Sequence, residues 1–275
     1  MLKKSLHTKS IYRSNLLSDI RIAKEAGFQA VEMVGSKVMN YLESGMDIGL
    51  VKETLAKNDM KIISVNDIAH VERTDAKSVE RMTYEAKMLT QFCSDVGCDC
   101  IQLVPLCAHE GKSWSEVKRL TAQSVVKVLD IGAEKNIKFQ LEPVAWSPIH
   151  SLSQSLEFIE ETKRDNLKMV IDFWHLWYGK ETTLEEVAAL DKDMICNIHF
   201  CDGKRNPEGT VCDEEELRGY LAGDGDIDVK AWVEAVKKTG YDGYWSYELI
   251  SKKHWEIDTK EIAEVTSKLL DKYIL

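Results

Sequence analysis

The sequence predicts a single-domain α/β protein, a closed (β/α)8 or TIM barrel spanning residues 1–275. Three observations lead to this prediction. Short apolar runs alternate along the chain with longer amphipathic stretches, as in repeated strand–helix units. Right-handed crossovers between such units make a parallel sheet, and eight units in this length fit a closed barrel. No linker-like composition divides the chain. An open doubly wound sheet with about six or seven strands is the alternative.

Strands are expected at the short apolar runs, of which the first carries the weakest pattern: 4–8, 28–33, 61–65, 100–104, 138–142, 168–172, 195–200 and 243–248. Helices are expected at the amphipathic stretches: 15–26, 47–58, 77–96, 114–135, 151–164, 184–190, 228–239 and 258–272. Glycine or asparagine stands at several helix-to-strand joints, where a left-handed conformation ends a helix: Gly27, Asn58, Gly97, Asn136 and Gly240. The segment 201–227 is the longest without a predicted element, and such loops often act as functional lids.

Composition narrows the class of partner. The net charge is −10, so a nucleic-acid partner is disfavoured because acidic surfaces repel phosphate. No apolar run approaches the roughly 18 residues of a membrane span, so no membrane partner is expected. The seven cysteines are odd in number and lack paired CxxC spacing, which predicts reduced thiols in a cytoplasmic protein. A homo-oligomer is also possible, because barrels often dimerise or tetramerise, but nothing in the sequence decides the oligomeric state.

Four consecutive predicted strands end at a residue that can bind a metal. These residues, which we call the strand-end cluster, are Glu142, Asp172, His199 and Glu248. In a barrel, the carboxyl ends of the strands surround one pocket. Three facing carboxylates would not all ionise without compensation, and a divalent cation removes the conflict. A lone acid at a strand end is more often a helix cap or an ion-pair partner, but four in register predict a site for Mn²⁺, Co²⁺, Zn²⁺ or Mg²⁺.

The segments around this cluster resemble those of a known family. "QLEPV", "VIDFWH", "IHFCDGKR" and "SYELI" are similar to the matching segments of the xylose-isomerase-like sugar isomerase/epimerase superfamily, which has the TIM-barrel fold. The resemblance extends over nearly the whole chain. Within the superfamily, the nearest likeness is to the inosose (2-keto-myo-inositol) isomerases, through "SVNDIAHVERTD", "IQLVPL", "KRDNLKMVIDFWH" and "GDGDID".

The resemblance implies roles for individual residues. The strand-end cluster would bind one divalent metal ion, and Glu142 and Glu248 would also be the two acid/base groups. His175 and Arg205 match residues that bind substrate oxygens in the family. The segment "LISKKHW", which begins just after Glu248, departs from the inosose isomerase pattern. The identity of the substrate, a keto-polyol or a ketose, therefore stays open.

The expected chemistry is proton transfer next to a carbonyl. One glutamate removes the α proton, and the resulting enediolate carries its charge on metal-bound oxygens. Return of the proton to the neighbouring carbon isomerises the substrate, and return to the opposite face epimerises it. Loss of a β-hydroxyl would make the protein an inosose dehydratase, and hydroxypyruvate isomerisation is another alternative. A nuclease related to apurinic-site endonucleases and a non-catalytic polyol sensor are remoter ones.

Further candidates lie near the predicted strand ends. Asn66 follows the third predicted strand and is expected to contact substrate, although a turn residue needs no function. Trp174 stands beside Asp172 and is expected either to wall the pocket or to pack in the core. Glu32, near the end of the second strand, is a candidate acid in or behind the pocket, and His7 is a candidate contact near the end of the first.

Overall fold

The computed structural model describes residues 3–207 and 210–275, and its centre is a closed barrel of eight parallel strands in chain order. The strands are β1 Lys3–His7, β2 Ala30–Val34, β3 Lys61–Ala69, β4 Cys100–Val104, β5 Lys138–Leu141, β6 Leu167–Asp172, β7 Ile195–Phe200 and β8 Tyr244–Tyr247. The barrel closes because β1 pairs in parallel with both β2 and β8. The predicted fold class is confirmed, and the open-sheet alternative is wrong.

One strand is longer than its pattern predicts. β3 was expected to end at residue 65, but it continues to Ala69 because its register against β4 shifts between Val65 and Ile68. A register shift accommodates additional residues in a strand without ending the pairing. Asn66 therefore lies inside β3, and the expectation that it follows the strand is wrong.

Eleven α-helices accompany the strands in the described residues: α1 Leu16–Glu25, α2 Gly35–Glu43, α3 Ile48–Asn58, α4 Ala76–Val96, α5 Trp114–Ala133, α6 Leu152–Thr162, α7 Phe173–Gly179, α8 Leu184–Ala188, α9 Glu214–Leu217, α10 Val229–Lys238 and α11 Thr259–Ile274. The eight predicted helices are present. The sequence analysis missed α2, α7 and α9. The helices α2 and α7 start on the residue after a strand, so no loop composition separates them from it.

Helix ends follow the expected chemistry at four of five joints. The backbone φ is positive, between 57° and 86°, at Gly27, Gly97, Asn136 and Gly240. The fifth prediction is wrong by one residue. Asn58 is the last residue of α3 and donates from its side chain to the Thr54 carbonyl oxygen, while Asp59 adopts the left-handed conformation with φ 48°. Aspartate shares the tolerance of asparagine for this region.

The interior of the barrel contains polar side chains in the layer next to the carboxyl ends of the strands. Gln102 on β4 lies opposite Gln140 on β5, and both side chains are fully buried. Gln140 precedes Glu142 by two residues, and Asn197 precedes His199 by the same interval. Alternate residues of a strand face the same side, so these amides lie one layer beneath the strand-end cluster.

Among the described residues, no helix is long and apolar enough to cross a membrane.

Candidate metal centre and active site

The strand-end cluster is assembled at the carboxyl ends of β5 to β8. Asp172 and His199 lie opposite each other on β6 and β7. Glu142 and Glu248 come directly after β5 and β8, and each extends its strand by one bond, donating its N–H to a carbonyl of the strand before it. All four side chains are buried, and their ligand atoms lie within 4.8 Å of one another. The barrel thus brings together four residues that could hold a metal ion.

One nitrogen of His199 faces the three carboxylates. Nδ1 lies 2.8 Å from Glu142 Oε1, 3.3 Å from Glu248 Oε2 and 3.5 Å from Asp172 Oδ2. One imidazole nitrogen and three carboxylate oxygens form a donor set that suits a divalent cation. The residues present therefore fit the divalent metal ion that the resemblance implies.

The cluster carries an electrostatic conflict. Burial raises the pKa of Glu142 to about 8, and the charges of Glu248 and Asp172 add to the effect despite the attraction of His199. Burial alone would raise the pKa of Asp172, but the charges of Arg218 and His175, together with the hydrogen bond and charge of His199, outweigh it and hold that pKa well below its usual range. The site therefore needs positive charge, and a metal ion would supply it.

Arg218 supplies part of that charge. It follows α9 in the long segment after β7 and is only 1% exposed. Its Nη2 donates to Asp172 Oδ2 at 2.8 Å and also to Glu248 Oε2. Its Nη1 donates to Glu214 Oε1 at 3.0 Å. The sequence analysis missed Arg218 because no motif marks it, and the only signal was its place in a loop expected to act as a lid.

Arg205 lies elsewhere in the same segment. Its guanidinium stacks over the ring of Trp177, 3.7 Å from the centroid, and its Nη2 donates to the Trp177 carbonyl oxygen. The guanidinium that contacts the strand-end cluster is therefore that of Arg218. A substrate contact by Arg205 stays a prediction, and it would require the side chain to leave Trp177. Residues 208 and 209 of the predicted lid loop lie outside the described residues.

His175 lies beside the cluster, on the first turn of α7. Asp172 caps this helix, accepting from the His175 backbone N–H at 2.7 Å. His175 Nε2 lies 3.1 Å from Arg218 Nη1 and 3.5 Å from Glu214 Oε1. Burial lowers the pKa of His175, which favours the neutral imidazole near pH 7. Such an imidazole can donate to or accept from a hydroxyl group.

Trp174 and Asn66 occupy different surroundings. Trp174 has no exposed surface, and its Nε1 donates to the Lys204 carbonyl oxygen at 3.2 Å. The neighbouring Trp146 is 40% exposed and contacts the rings of Trp174 and His175 edge-on.

Asn66 lines a cavity of about 400 Å³ between α2 and α4, and its Nδ2 has no partner in the described part of the chain. Substrate contacts by Trp174 and Asn66 stay predictions.

Comparisons with known proteins agree with this architecture. The family model described as "Xylose isomerase-like TIM barrel" matches residues 20–272. An inosose isomerase of Bacillus velezensis is 22% identical over 273 residues, which cover 97% of this chain and 96% of that protein. An L-ribulose 3-epimerase of Mesorhizobium japonicum is 26% identical over 255 residues, covering 88% and 77%.

Solved structures share the fold. The crystal structure of the IOLI protein "with a binding zinc atom" superposes with a TM-score of 0.89 at 22% identity, covering 99% of this chain and 98% of that one. A D-allulose 3-epimerase from Methylomonas sp. in complex with D-allulose superposes with a TM-score of 0.77 at 18% identity, covering 99% and 97%. The relatives found by sequence carry the names of isomerases and epimerases.

Proposed function

Since the chain belongs to the xylose isomerase-like TIM barrel family, we propose that it is a divalent-metal-dependent isomerase or epimerase of an inosose-like keto-polyol or a ketose. The observation that carries the proposal is the convergence of the strand-end cluster on one buried point, with Arg218 donating to two of its carboxylates. The names of the relatives support the reaction class. The inosose isomerases among them favour a cyclic keto-polyol.

A bound divalent ion would supply Lewis-acid chemistry at the substrate carbonyl, which acidifies the neighbouring C–H bond. Glu142 and Glu248 are the proposed acid/base pair. They stand at the ends of β5 and β8, with β6 and β7 between them, so their carboxylates approach a substrate from different directions. Both carboxylates are buried, which keeps bulk water away from the proton that they would transfer.

Arg218 and His175 are the proposed contacts to substrate oxygens. Arg218 is a permanent cation beside Asp172 and Glu248, so it can stabilise negative charge that develops on a carbonyl oxygen. The neutral imidazole of His175 can hold a hydroxyl group in a fixed orientation. Trp146, 40% exposed and packed edge-on against His175, offers an apolar face to the C–H side of a polyol ring.

The direct test is solvent exchange of a substrate C–H proton. The protein is loaded with Mn²⁺, its metal content is measured, and it is incubated in ²H₂O with keto-inositols, hydroxypyruvate and free ketohexoses. We expect NMR to show deuterium incorporation into at least one keto-inositol, and a chelator to stop it. The product then distinguishes isomerisation, epimerisation and dehydration.

Two variants assign the exchange to the site. Glu248→Gln should bind substrate but lose exchange, whereas Glu234→Gln, a surface change on α10, should retain it. A metal-loaded wild-type protein that exchanges no proton in any of these compounds would refute the proposed function. Retained exchange in Glu248→Gln would remove Glu248 from its acid/base role.

A further inference from the structure

A buried acid and three buried amides lie beneath the strand-end cluster. We call Glu32, Gln102, Gln140 and Asn197 the amide layer. None of these four side chains is more than 1% exposed, although they come from β2, β4, β5 and β7. A buried polar group that lacks a partner is costly, so such a layer persists only when its hydrogen bonds are made.

Hydrogen bonds of the amide layer connect Glu32 to Glu142 through Gln140 and Gln102. Gln140 Nε2 donates to Glu32 Oε1 at 2.9 Å and to Gln102 Oε1 at 2.7 Å. Since the oxygen of Gln102 is the acceptor there, its Nε2 faces the cluster and donates to Glu142 Oε2 at 2.8 Å. One carboxylate oxygen of Glu142 is thereby held, and the other, Oε1, points to His199 Nδ1.

Glu32 also contacts His199 directly. His199 Nε2 lies 3.2 Å from Glu32 Oε2, the same oxygen that accepts from Asn197 Nδ2 at 2.5 Å. An ionised carboxylate only accepts, so with a cation at Nδ1 it would hold the remaining ring proton of His199 on Nε2. The lone pair of that tautomer is on Nδ1, the nitrogen that faces the three carboxylates of the cluster.

We propose that Glu32 is a positioning residue for the metal centre. It holds His199 with Nδ1 available as a ligand, and it orients Glu142 through Gln140 and Gln102. This inference rests on the metal site of the proposed function and adds that the amide layer, buried beneath the strand-end cluster, sets the geometry of two ligands. Carboxylate–histidine–metal arrangements work in this way in other metalloproteins.

A second cation site is the competing interpretation. The ligand atoms of His7, Glu32 and His199 lie within 4.8 Å of one another, and His7 Nε2 is buried without a hydrogen-bond partner among the described residues. A cation there would need both nitrogens of His199 as ligands and hence loss of both ring protons. It would also compete with Asn197 for the Glu32 oxygen. Positioning requires neither step.

The test compares two buried glutamates that receive the same substitution. Glu32→Gln removes the charged acceptor beneath His199. Glu72→Gln is the matched control, because Glu72 is 2% exposed and accepts from backbone N–H groups of Leu106 and Ala108. The measurements are Mn²⁺ affinity by calorimetry, bound metal per chain, the absorption spectrum of the Co²⁺ form, and the His199 tautomer in the Zn²⁺ form by ¹⁵N NMR.

We expect Glu32→Gln to bind Mn²⁺ about 10- to 100-fold more weakly than wild type and to show an altered Co²⁺ spectrum. The wild-type protein should bind one metal ion per chain. The control should stay within about twofold of wild type. A change at Glu32 that merely loosened the fold would lower the unfolding temperature without altering the Co²⁺ spectrum. If Glu32→Gln fails to fold, Gln102→Met tests the same layer through Glu142, with an expected loss of about 10-fold.

Unchanged affinity and an unchanged His199 tautomer in Glu32→Gln would overturn the proposal. Two metal ions per wild-type chain that fall to one in the variant would replace it with the second cation site. A wild-type protein that binds no divalent cation would also overturn it. Failure of the proposed reaction is distinguishable, because a protein could bind metal through this arrangement and still exchange no substrate proton.

Discussion

Arg218 Nη2 lies 2.8 Å from Asp172 Oδ2, although 46 residues separate the two in sequence. Asp172 ends β6, whereas Arg218 follows a four-residue helix in the loop after β7. The loop thus places a permanent cation against a carboxylate that also belongs to the strand-end cluster. This pair connects the loop after β7 to the centre of the site, and its consequences can be measured.

Replacement of Arg218 should affect both stability and activity. Arg218→Met leaves Asp172 and Glu248 buried without their guanidinium, and breaking a buried pair from one side typically costs about 3–5 kcal/mol. We expect the free energy of unfolding to fall by about 3 kcal/mol, and Mn²⁺ to restore part of it. The measurement is denaturant unfolding with and without Mn²⁺. The control is Arg164→Met, at an exposed ion pair with Asp130, which should change stability by less than about 1 kcal/mol.

The two arginines of the long loop should differ in catalysis. We expect Arg218→Met to lower kcat/KM by about 100-fold, the order found when a donor to developing negative charge is removed. Arg205→Met should have a smaller effect, because Arg205 stacks on Trp177. Steady-state kinetics on the substrate identified by exchange gives both values. A larger loss in Arg205→Met would mean that Arg205 leaves Trp177 to bind substrate.

Metal binding should release protons and strengthen as pH rises. The pKa of Glu142 is raised to about 8 by burial. Burial would lower the pKa of His199, but the negative charges of Glu248 and Glu32 and the hydrogen bonds with Asp172 and Glu142 together raise it well above its usual range. At pH 6.5 both groups carry protons that a cation must displace, since only the deprotonated forms are ligands. Calorimetry in two buffers of different ionisation enthalpy counts the protons. Affinity that is constant between about pH 6 and 8 would contradict this expectation.

A bound divalent ion should stabilise the fold. Binding to the folded state alone adds about 2.7 kcal/mol when the free ion is at 100 times its dissociation constant. We expect Mn²⁺ to raise the unfolding temperature of wild type and to have little effect on Asp172→Asn, which keeps an oxygen to cap α7 but loses the charge. Asp165→Asn, outside the cluster, serves as the control and should show the full shift. An equal shift in Asp172→Asn would exclude Asp172 as a ligand.

The packing of α5 on β5 should be sensitive to a single methyl group. A Cβ at Gly132 would lie well inside van der Waals contact of Phe139 Cε2, and Phe139 is fully buried. We expect Gly132→Ala to lower the free energy of unfolding by about 1–3 kcal/mol, as overpacking does. The second substitution Phe139→Leu should recover part of that loss in a double-mutant cycle. Additive effects of the two changes would argue against this contact.

The barrel and the strand-end cluster could be predicted because both depend on short-range patterns. Apolar runs of strand length recur along the chain, and a residue that can bind a metal lies at or next to the end of each of the last four. A parallel barrel brings equivalent strand ends together whatever their separation in sequence. Those two facts suffice to predict that Glu142 lies near Glu248, although the two are far apart in sequence.

Only the tertiary structure decided which arginine meets the cluster. The loop after β7 folds back because the buried carboxylate of Asp202 accepts N–H groups of Gly223, Gly225 and Ile227. Such contacts join residues about 20 apart and leave no periodic pattern in the sequence. The direction of Gln102 and the tautomer of His199 are likewise set by partners on other strands, because a buried hydrogen-bond network forms only when the strands have closed around it.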